Sequence, residues 1–136
     1  MRHALLGGVV AVAWGMALAS TGAAQPVAKP ATRTIPTAFR GHWEERADLC
    51  ADGLSNQGMV ISARRIQLFE LRISFRGVDV ISSTAIHLSG QIEDGPGNHW
   101  GSDMTLALTD GGTLLHTGDG DGNPIYTRCP ATGAQR

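Results

Sequence analysis

The chain has 136 residues, 42% of them hydrophobic, with 11 basic and 12 acidic side chains and a formal net charge of −1. A nucleic-acid-binding protein normally carries a clear basic excess, so this balance argues against a nucleic-acid partner.

The N-terminus has the pattern of a secretory signal. The segment 4–18 contains no ionisable side chain, and it is shorter than the ~20 residues that cross a bilayer as a helix. Small residues follow, with Gly22 and Ala24 suited to a signal peptidase, which predicts a signal peptide over 1–24 and a mature start at Gln25. An uncleaved anchor is the alternative. We expect a periplasmic or secreted protein without a stable membrane anchor after cleavage.

The mature chain divides into three segments. Residues 25–37 contain three prolines among small and polar residues, which predicts a poorly ordered leader. Residues 38–130 consist of short apolar-alternating runs separated by Gly, Asp and Asn, which predicts one β-domain with a single core. Residues 131–136 are predicted to be a disordered tail.

The two cysteines, Cys50 and Cys129, are the only ones in the chain. In an oxidising compartment their pairing is the economical prediction, and it closes a loop of about 80 residues across most of the domain. A reactive Cys-x-x-Cys pair is absent.

Strict alternation of apolar and polar residues predicts about eight strands, at 39–43, 59–62, 66–69, 71–76 with its continuation to Val80, 86–90, 100–109, 113–116 and 125–129. Gly77 shifts the apolar parity and predicts a bend or bulge. Asp110-Gly111-Gly112 predicts a tight hairpin. Only residues 45–56 allow a helical turn. Sequential hairpins favour a small all-β, antiparallel up-and-down barrel, and a β-sandwich is the alternative.

Two short motifs resemble the lipocalin-like barrels. Gly41 and Trp43 on the first strand, with Arg128 on the last, are similar to the Gly-x-Trp and closing arginine of that superfamily. The resemblance implies that Arg128 packs across Trp43 where the barrel closes, and that the two cysteines lie at the same end. In layout the chain also resembles small exported bacterial proteins of unknown function, and in scale the disulfide-bonded barrels that inhibit proteases and lysozymes.

A polar loop ends in Asn98, His99 and Trp100, which is the makeup of a recognition loop. The favoured interpretation is that Trp100 begins a strand and is buried, and the alternative is that these three residues contact a partner.

A second candidate is a calcium loop begun by Asp119, Asp121 and Asn123, whose oxygens alternate as such loops require. Pro124 stands where that loop needs glycine and Pro130 where it needs glutamate, so the pattern favours a hairpin turn and no metal.

Catalytic patterns are absent from the sequence. The adjacent carboxylates Glu44-Glu45 and Glu93-Asp94 do not form an acid-base pair, and no two histidines are spaced as ligands on one element, so solvent-facing histidines are expected at positions 42, 87, 99 and 116. We therefore expect no enzymatic activity and no cofactor. The sequence favours a binding module for an extracytoplasmic protein, for example a hydrolase inhibitor. A small hydrophobic-ligand carrier and a hydrolase are the alternatives.

Overall fold

The protein is described by a computed structural model that covers residues 32–118 and 122–131. Within these residues the fold is a closed, eight-stranded, antiparallel barrel in which each strand pairs with the next and the last pairs with the first. The predicted up-and-down barrel is confirmed, and the sandwich alternative is wrong. The predicted signal peptide and most of the predicted tail lie outside the described residues.

The strands are β1 (Gly41–Glu44), β2 (Met59–Ile61), β3 (Arg65–Gln67), β4 (Arg72–Val80), β5 (Ala85–Glu93), β6 (His99–Thr109), β7 (Leu114–Thr117) and β8 (Ile125–Arg128). Short 3-10 helices occupy Thr37–Phe39, Ala47–Asp52 and Asp110–Gly112. The second of them lies within the segment predicted to hold a helical turn.

The bulge predicted at Gly77 is present in β4. Phe75 pairs with Gly90 and Gly77 pairs with Ser89, so Arg76 is an extra residue with no partner in the register. Because a bulge inserts one residue, Ile73 and Phe75 before it and Val78 after it all face the interior. The bulge therefore keeps both halves of β4 in the core.

The β-hairpin turns gather at the two ends of the barrel. One end, which we call the latch end, holds the chain entry at 38–40 and the turns at 62–64, 81–84 and 110–113. At the last of these, Asp110, Gly111 and Gly112 have φ angles of 50°, 66° and 88°, as the predicted tight reversal needs. The opposite end, which we call the hairpin end, holds the connections 45–58, 68–71 and 94–98 and the start of β8.

The ordered fold begins before the predicted domain boundary at residue 38. Thr32 forms an antiparallel bridge with Val78, the Ile35 N–H donates to the Ala63 carbonyl at 2.7 Å, and the Ile35 side chain is fully buried. The last six residues of the predicted leader are thus part of the barrel. The sequence prediction missed these contacts because the segment is rich in proline and a single apolar side chain, that of Ile35, packs into the core.

Every strand contributes to one apolar interior. The buried side chains are Ile35, Phe39, Trp43, Met59, Ile61, Ile66, Ile73, Phe75, Val78, Ile86, Leu88, Leu106, Leu108, Leu115 and Tyr126. An eight-stranded barrel is just wide enough for side chains to fill it, and these residues occupy that space.

Arg128 connects several parts of the latch end through one side chain. Its guanidinium carbon lies 4.1 Å from the centroid of the Trp43 ring, and Trp43 and Arg128 are directly opposite in the β1–β8 register. Its Nε donates to the Gly112 carbonyl at 2.9 Å, Nη1 donates to the Arg40 carbonyl at 2.9 Å, and Nη2 donates to the Ala38 carbonyl. One side chain thus links the first strand, the last strand, the chain entry and the β6–β7 turn.

The Cys50–Cys129 disulfide is formed, with the two Cα atoms 5.4 Å apart. Cys129 directly follows Arg128, and its N–H donates to the His42 carbonyl at 2.9 Å. The disulfide therefore holds the 3-10 helix Ala47–Asp52 against the outside of β1, near Arg128. A disulfide is consistent with an oxidising compartment outside the cytoplasm.

Replacing Arg128 with Lys should lower the free energy of unfolding by about 2–3 kcal/mol, because an ammonium group cannot reproduce the planar, multidentate contacts of a guanidinium. Urea unfolding followed by tryptophan fluorescence measures this change. The exposed Arg65→Lys is the matched control and should change stability by less than about 0.5 kcal/mol. Equal stabilities for both variants would show that the contacts of the Arg128 guanidinium contribute nothing specific to stability.

Replacing both Cys50 and Cys129 with Ala should lower the free energy of unfolding by about 2–5 kcal/mol, because the crosslink restricts the unfolded chain over most of the domain. The denaturant midpoint of the variant should match that of the reduced wild-type protein. Two free thiols titrating in the untreated wild-type protein would contradict the pairing.

Candidate functional site

The β5–β6 hairpin is the longest regular element of the barrel. The two strands pair over nine positions, from Ala85 opposite Ala107 to Glu93 opposite His99. Its tip is a five-residue loop, 94–98, in which Gly95 and Gly97 have φ angles of 69° and 87° and the Asp94 N–H donates to the Asn98 carbonyl at 3.2 Å. The glycines supply left-handed conformations that most side chains disfavour, so the tip forms a defined turn.

One edge of this hairpin extends beyond its neighbour. β7 pairs with β6 only from Leu106 to Thr109, and a single further bond joins the Gly118 N–H to the Thr105 carbonyl. Among the described residues, the segment His99–Met104 has β5 on one side and no strand on the other. An edge of this kind presents backbone N–H and C=O groups to which another strand can add.

Trp100 lies on this edge segment, and the structure corrects the interpretation that it is buried. Trp100 does begin the strand, but 45% of it is exposed. It lies opposite Ile92, which packs partly against the core, and Ile92 lies opposite the buried Ile73. The tryptophan therefore continues an apolar row from the interior onto the rim, where β7 no longer covers it.

Two further apolar side chains are exposed at the hairpin end. Phe69, on the β3–β4 turn, is 60% exposed, and Ile125 begins β8. Between the β3–β4 turn and the hairpin tip is an open pocket of about 330 Å³, lined by Gln67, Glu70, Leu71, Arg72, Glu93, Gly95 and Pro96. The hairpin end thus combines exposed aromatic groups with a charged groove, the mixture found at protein interfaces.

The remaining candidate residues lie partly at the hairpin tip and partly outside the described residues. Asn98 and His99 are exposed at the hairpin tip beside Trp100, so these three residues form one surface, although His99 belongs to β6 and not to the loop. Asp119 and Asp121 lie outside the described residues, which leaves the calcium hypothesis untested. Within 32–118 and 122–131, no group of His, Cys, Asp and Glu side chains is arranged to hold a metal ion.

A buried carboxylate, Glu44, was missed by the sequence analysis. Glu44 is fully buried on the outer face of β1, and its Oε1 lies 2.6 Å from His42 Nε2. Ser55 donates to it twice, from its backbone N–H at 3.0 Å and from Oγ at 2.5 Å. A Cβ atom at Gly58 would overlap the carboxylate, so a side chain there would displace Glu44 from this position.

Glu44 accepts hydrogen bonds that hold the 45–58 connection against the barrel. Burial alone raises the pKa of the Glu44 carboxyl, but the hydrogen bonds from Ser55 and His42 outweigh it, so the pKa lies below the ordinary value of 4.5. The Glu44 carboxylate lies between Ser55 and His42, and it accepts the hydrogen bond that the Ser55 hydroxyl donates. A nucleophile activated by histidine would instead have its hydroxyl bonded to the imidazole. Here the contacts join the 45–58 connection to β1.

The histidines do not all match the expected solvent-facing arrangement. His42 has only 22% of its side chain exposed because it faces Glu44. The His87 Nε2 atom lies 3.7 Å from an Asp103 carboxylate oxygen, and His116 Nε2 lies 2.9 Å from the Thr109 hydroxyl. These contacts connect neighbouring strands on the outer face.

Comparison of the chain with models of protein families, with curated proteins and with solved structures finds no match. In the described residues there is no helix of the length and apolar character needed to span a membrane.

Replacing Glu44 with Gln should lower the free energy of unfolding by about 1–3 kcal/mol at neutral pH, because the charged acceptor of three hydrogen bonds is lost. Since the folded-state pKa is depressed, the contribution of Glu44 is present above the unfolded pKa and is lost as the pH falls through the folded pKa. As the pH falls below the folded-state pKa of Glu44, the difference between the two proteins should therefore shrink.

Urea titrations at several pH values measure this difference, with the neighbouring Glu45→Gln as the matched control. A Glu44→Gln variant that is as stable as wild type at pH 7 would contradict the role assigned to the carboxylate.

Proposed function

We propose that this protein is an exported binding module that engages another extracytoplasmic protein through its hairpin end, with inhibition of an envelope or secreted hydrolase as the specific form. The observation that carries the proposal is the β5–β6 hairpin, which combines the exposed Trp100 with the edge His99–Met104, on which no strand of the described residues lies. A strand edge supplies main-chain hydrogen bonds to a partner, and an aromatic side chain supplies the buried contact area.

The geometry favours protein binding over the two alternatives. A hydrophobic-ligand carrier needs an empty apolar interior, whereas side chains from all eight strands meet inside this barrel. A hydrolase needs a nucleophile beside an effective general base, whereas the Ser55 hydroxyl donates to Glu44, whose carboxyl pKa lies below its ordinary value and which is therefore a weak base. The filled interior and the Ser55–Glu44 contact do not count against a protein partner, because a protein binds to the outer surface of the barrel.

The rigidity of the hairpin also supports the proposal. Nine paired positions on β5 and the apolar row through Ile92 hold Trp100 in place before any partner arrives. A preorganised anchor loses little conformational entropy on binding, and this raises affinity. The nearby pocket between the β3–β4 turn and the tip offers a place for a side chain of the partner.

The test uses a panel of purified lysozymes and secreted proteases, with inhibition and Kd measured for the wild-type protein, Trp100→Ala and Ile81→Ala. Ile81 is the matched control because it is an apolar residue 64% exposed at the opposite, latch end. We expect Trp100→Ala to weaken binding by at least ~10-fold, as removal of an interface anchor does, and Ile81→Ala to leave it unchanged.

Thermal unfolding of the variants confirms that each remains folded. Equal binding by wild type and Trp100→Ala, or loss of binding only in Ile81→Ala, would place the interface elsewhere. Absence of binding to every hydrolase in the panel would count against the inhibitor form of the proposal.

A further inference from the structure

A second surface lies on the barrel wall at the bulge of β4, away from the hairpin tip. An open pocket of about 360 Å³ is lined by Arg33, Arg64, Phe75 and Arg76. Three of these four residues are arginines, and all three are exposed, whereas the Phe75 ring belongs to the core. The pocket is therefore a cationic opening with an apolar floor.

The topology explains why three arginines meet here. β3 pairs with β4 only between Arg72 and Ser74, and further along β4 the N-terminal segment takes over that side through the Thr32–Val78 bridge. Between these two contacts, the bond that the edge of β4 makes with the described residues runs from the Phe75 N–H to the Arg64 carbonyl at 3.1 Å. Arg33 and Arg64 flank this gap.

The bulge supplies the third arginine. Because Arg76 is the extra residue, it has no cross-strand partner directly opposite, and its Nη2 donates to the Gln91 side-chain oxygen at 2.6 Å. That neutral contact orients the guanidinium without cancelling its charge. Arginine has five N–H donors, so most of those on Arg76 stay available for a ligand.

No carboxylate neutralises this group within the described residues. The ion pairs there are His42–Glu44, Arg46–Asp48 and His87–Asp103, and none includes a pocket arginine. By contrast, Arg40 and Arg128 donate to backbone carbonyls and Arg46 pairs with Asp48. Three like charges around one opening repel each other, so an anion that enters it is attracted by all three.

We infer that this pocket binds the phosphate group of a small ligand or of a lipid headgroup. Guanidinium groups match the oxygen geometry of phosphate and form short, charge-assisted hydrogen bonds with it. The volume is at the lower end of the range of about 300–1,000 Å³ for ligand pockets, which suits a phosphorylated headgroup more than a large cofactor. Phe75 gives an apolar surface for the group that carries the phosphate.

The experiment titrates the purified full chain with inorganic pyrophosphate and with inorganic phosphate by calorimetry at constant ionic strength. Variants Arg33→Gln, Arg64→Gln and Arg76→Gln each remove one charge from the pocket. The matched control is Arg65→Gln, which removes the same charge from an exposed neighbour that does not line the pocket. We expect saturable binding, weakened at least ~10-fold by each pocket variant and less than ~2-fold by the control.

A vesicle arm identifies the source of the phosphate. Cosedimentation with phosphatidylcholine vesicles is compared with and without added phosphatidic acid, whose headgroup is a phosphate monoester. Arg64-dependent binding to phosphatidic acid vesicles supports the site and assigns a lipid ligand. Arg64-dependent binding of the soluble anions alone supports the site and assigns a soluble one.

The inference is overturned if neither the soluble anions nor the phosphatidic acid vesicles show saturable binding that depends on Arg64. It is also overturned if Arg65→Gln weakens binding as much as Arg64→Gln does, since that result indicates diffuse attraction to surface charge. Retained thermal stability of the glutamine variants separates loss of binding from loss of fold. These outcomes are independent of the hairpin end, because none of the variants alters it.

Discussion

The stacking of Arg128 on Trp43 is the contact on which the barrel depends. A barrel without exposed sheet edges requires its first and last strands to pair, and here that seam is short, with only two residue pairs between β1 and β8. The guanidinium strengthens the seam by joining it to Ala38, Arg40 and Gly112, which belong to two other parts of the latch end. Trp43 is itself held by its bond to the Phe39 carbonyl at 2.9 Å.

The disulfide and the buried carboxylate support the same seam from outside. Cys129 continues directly from Arg128, and the bond to Cys50 brings the 45–58 connection over the outer face of β1. Glu44 then accepts hydrogen bonds from that connection, and Gly58 leaves the room that its carboxylate needs. Covalent, polar and apolar contacts thus converge on one strand, β1, while the longest strands, β4 to β6, lie on the opposite side of the barrel.

That opposite side carries both surfaces for which we propose functions. The strands there are longer than their neighbours, so β6 extends beyond β7 and β4 extends beyond β3. Across the part of the chain that the structure describes, unequal strand length leaves edge segments without a neighbouring strand at two places, one at the hairpin end beside Trp100 and one at the β4 bulge beside Arg76. The same feature of the sheet therefore produces an apolar surface suited to a protein and a cationic pocket suited to an anion.

Local patterns in the chain were enough to predict the barrel, the bulge at Gly77, the tight turn at Asp110-Gly111-Gly112 and the disulfide. Side-chain alternation, turn chemistry and a lone pair of cysteines each act over a few residues or allow one solution only. The exposure of Trp100, the burial of Glu44 and the meeting of three arginines needed the assembled fold. Each depends on where a neighbouring strand stops or which connection lies above it, and residues far apart in sequence decide that.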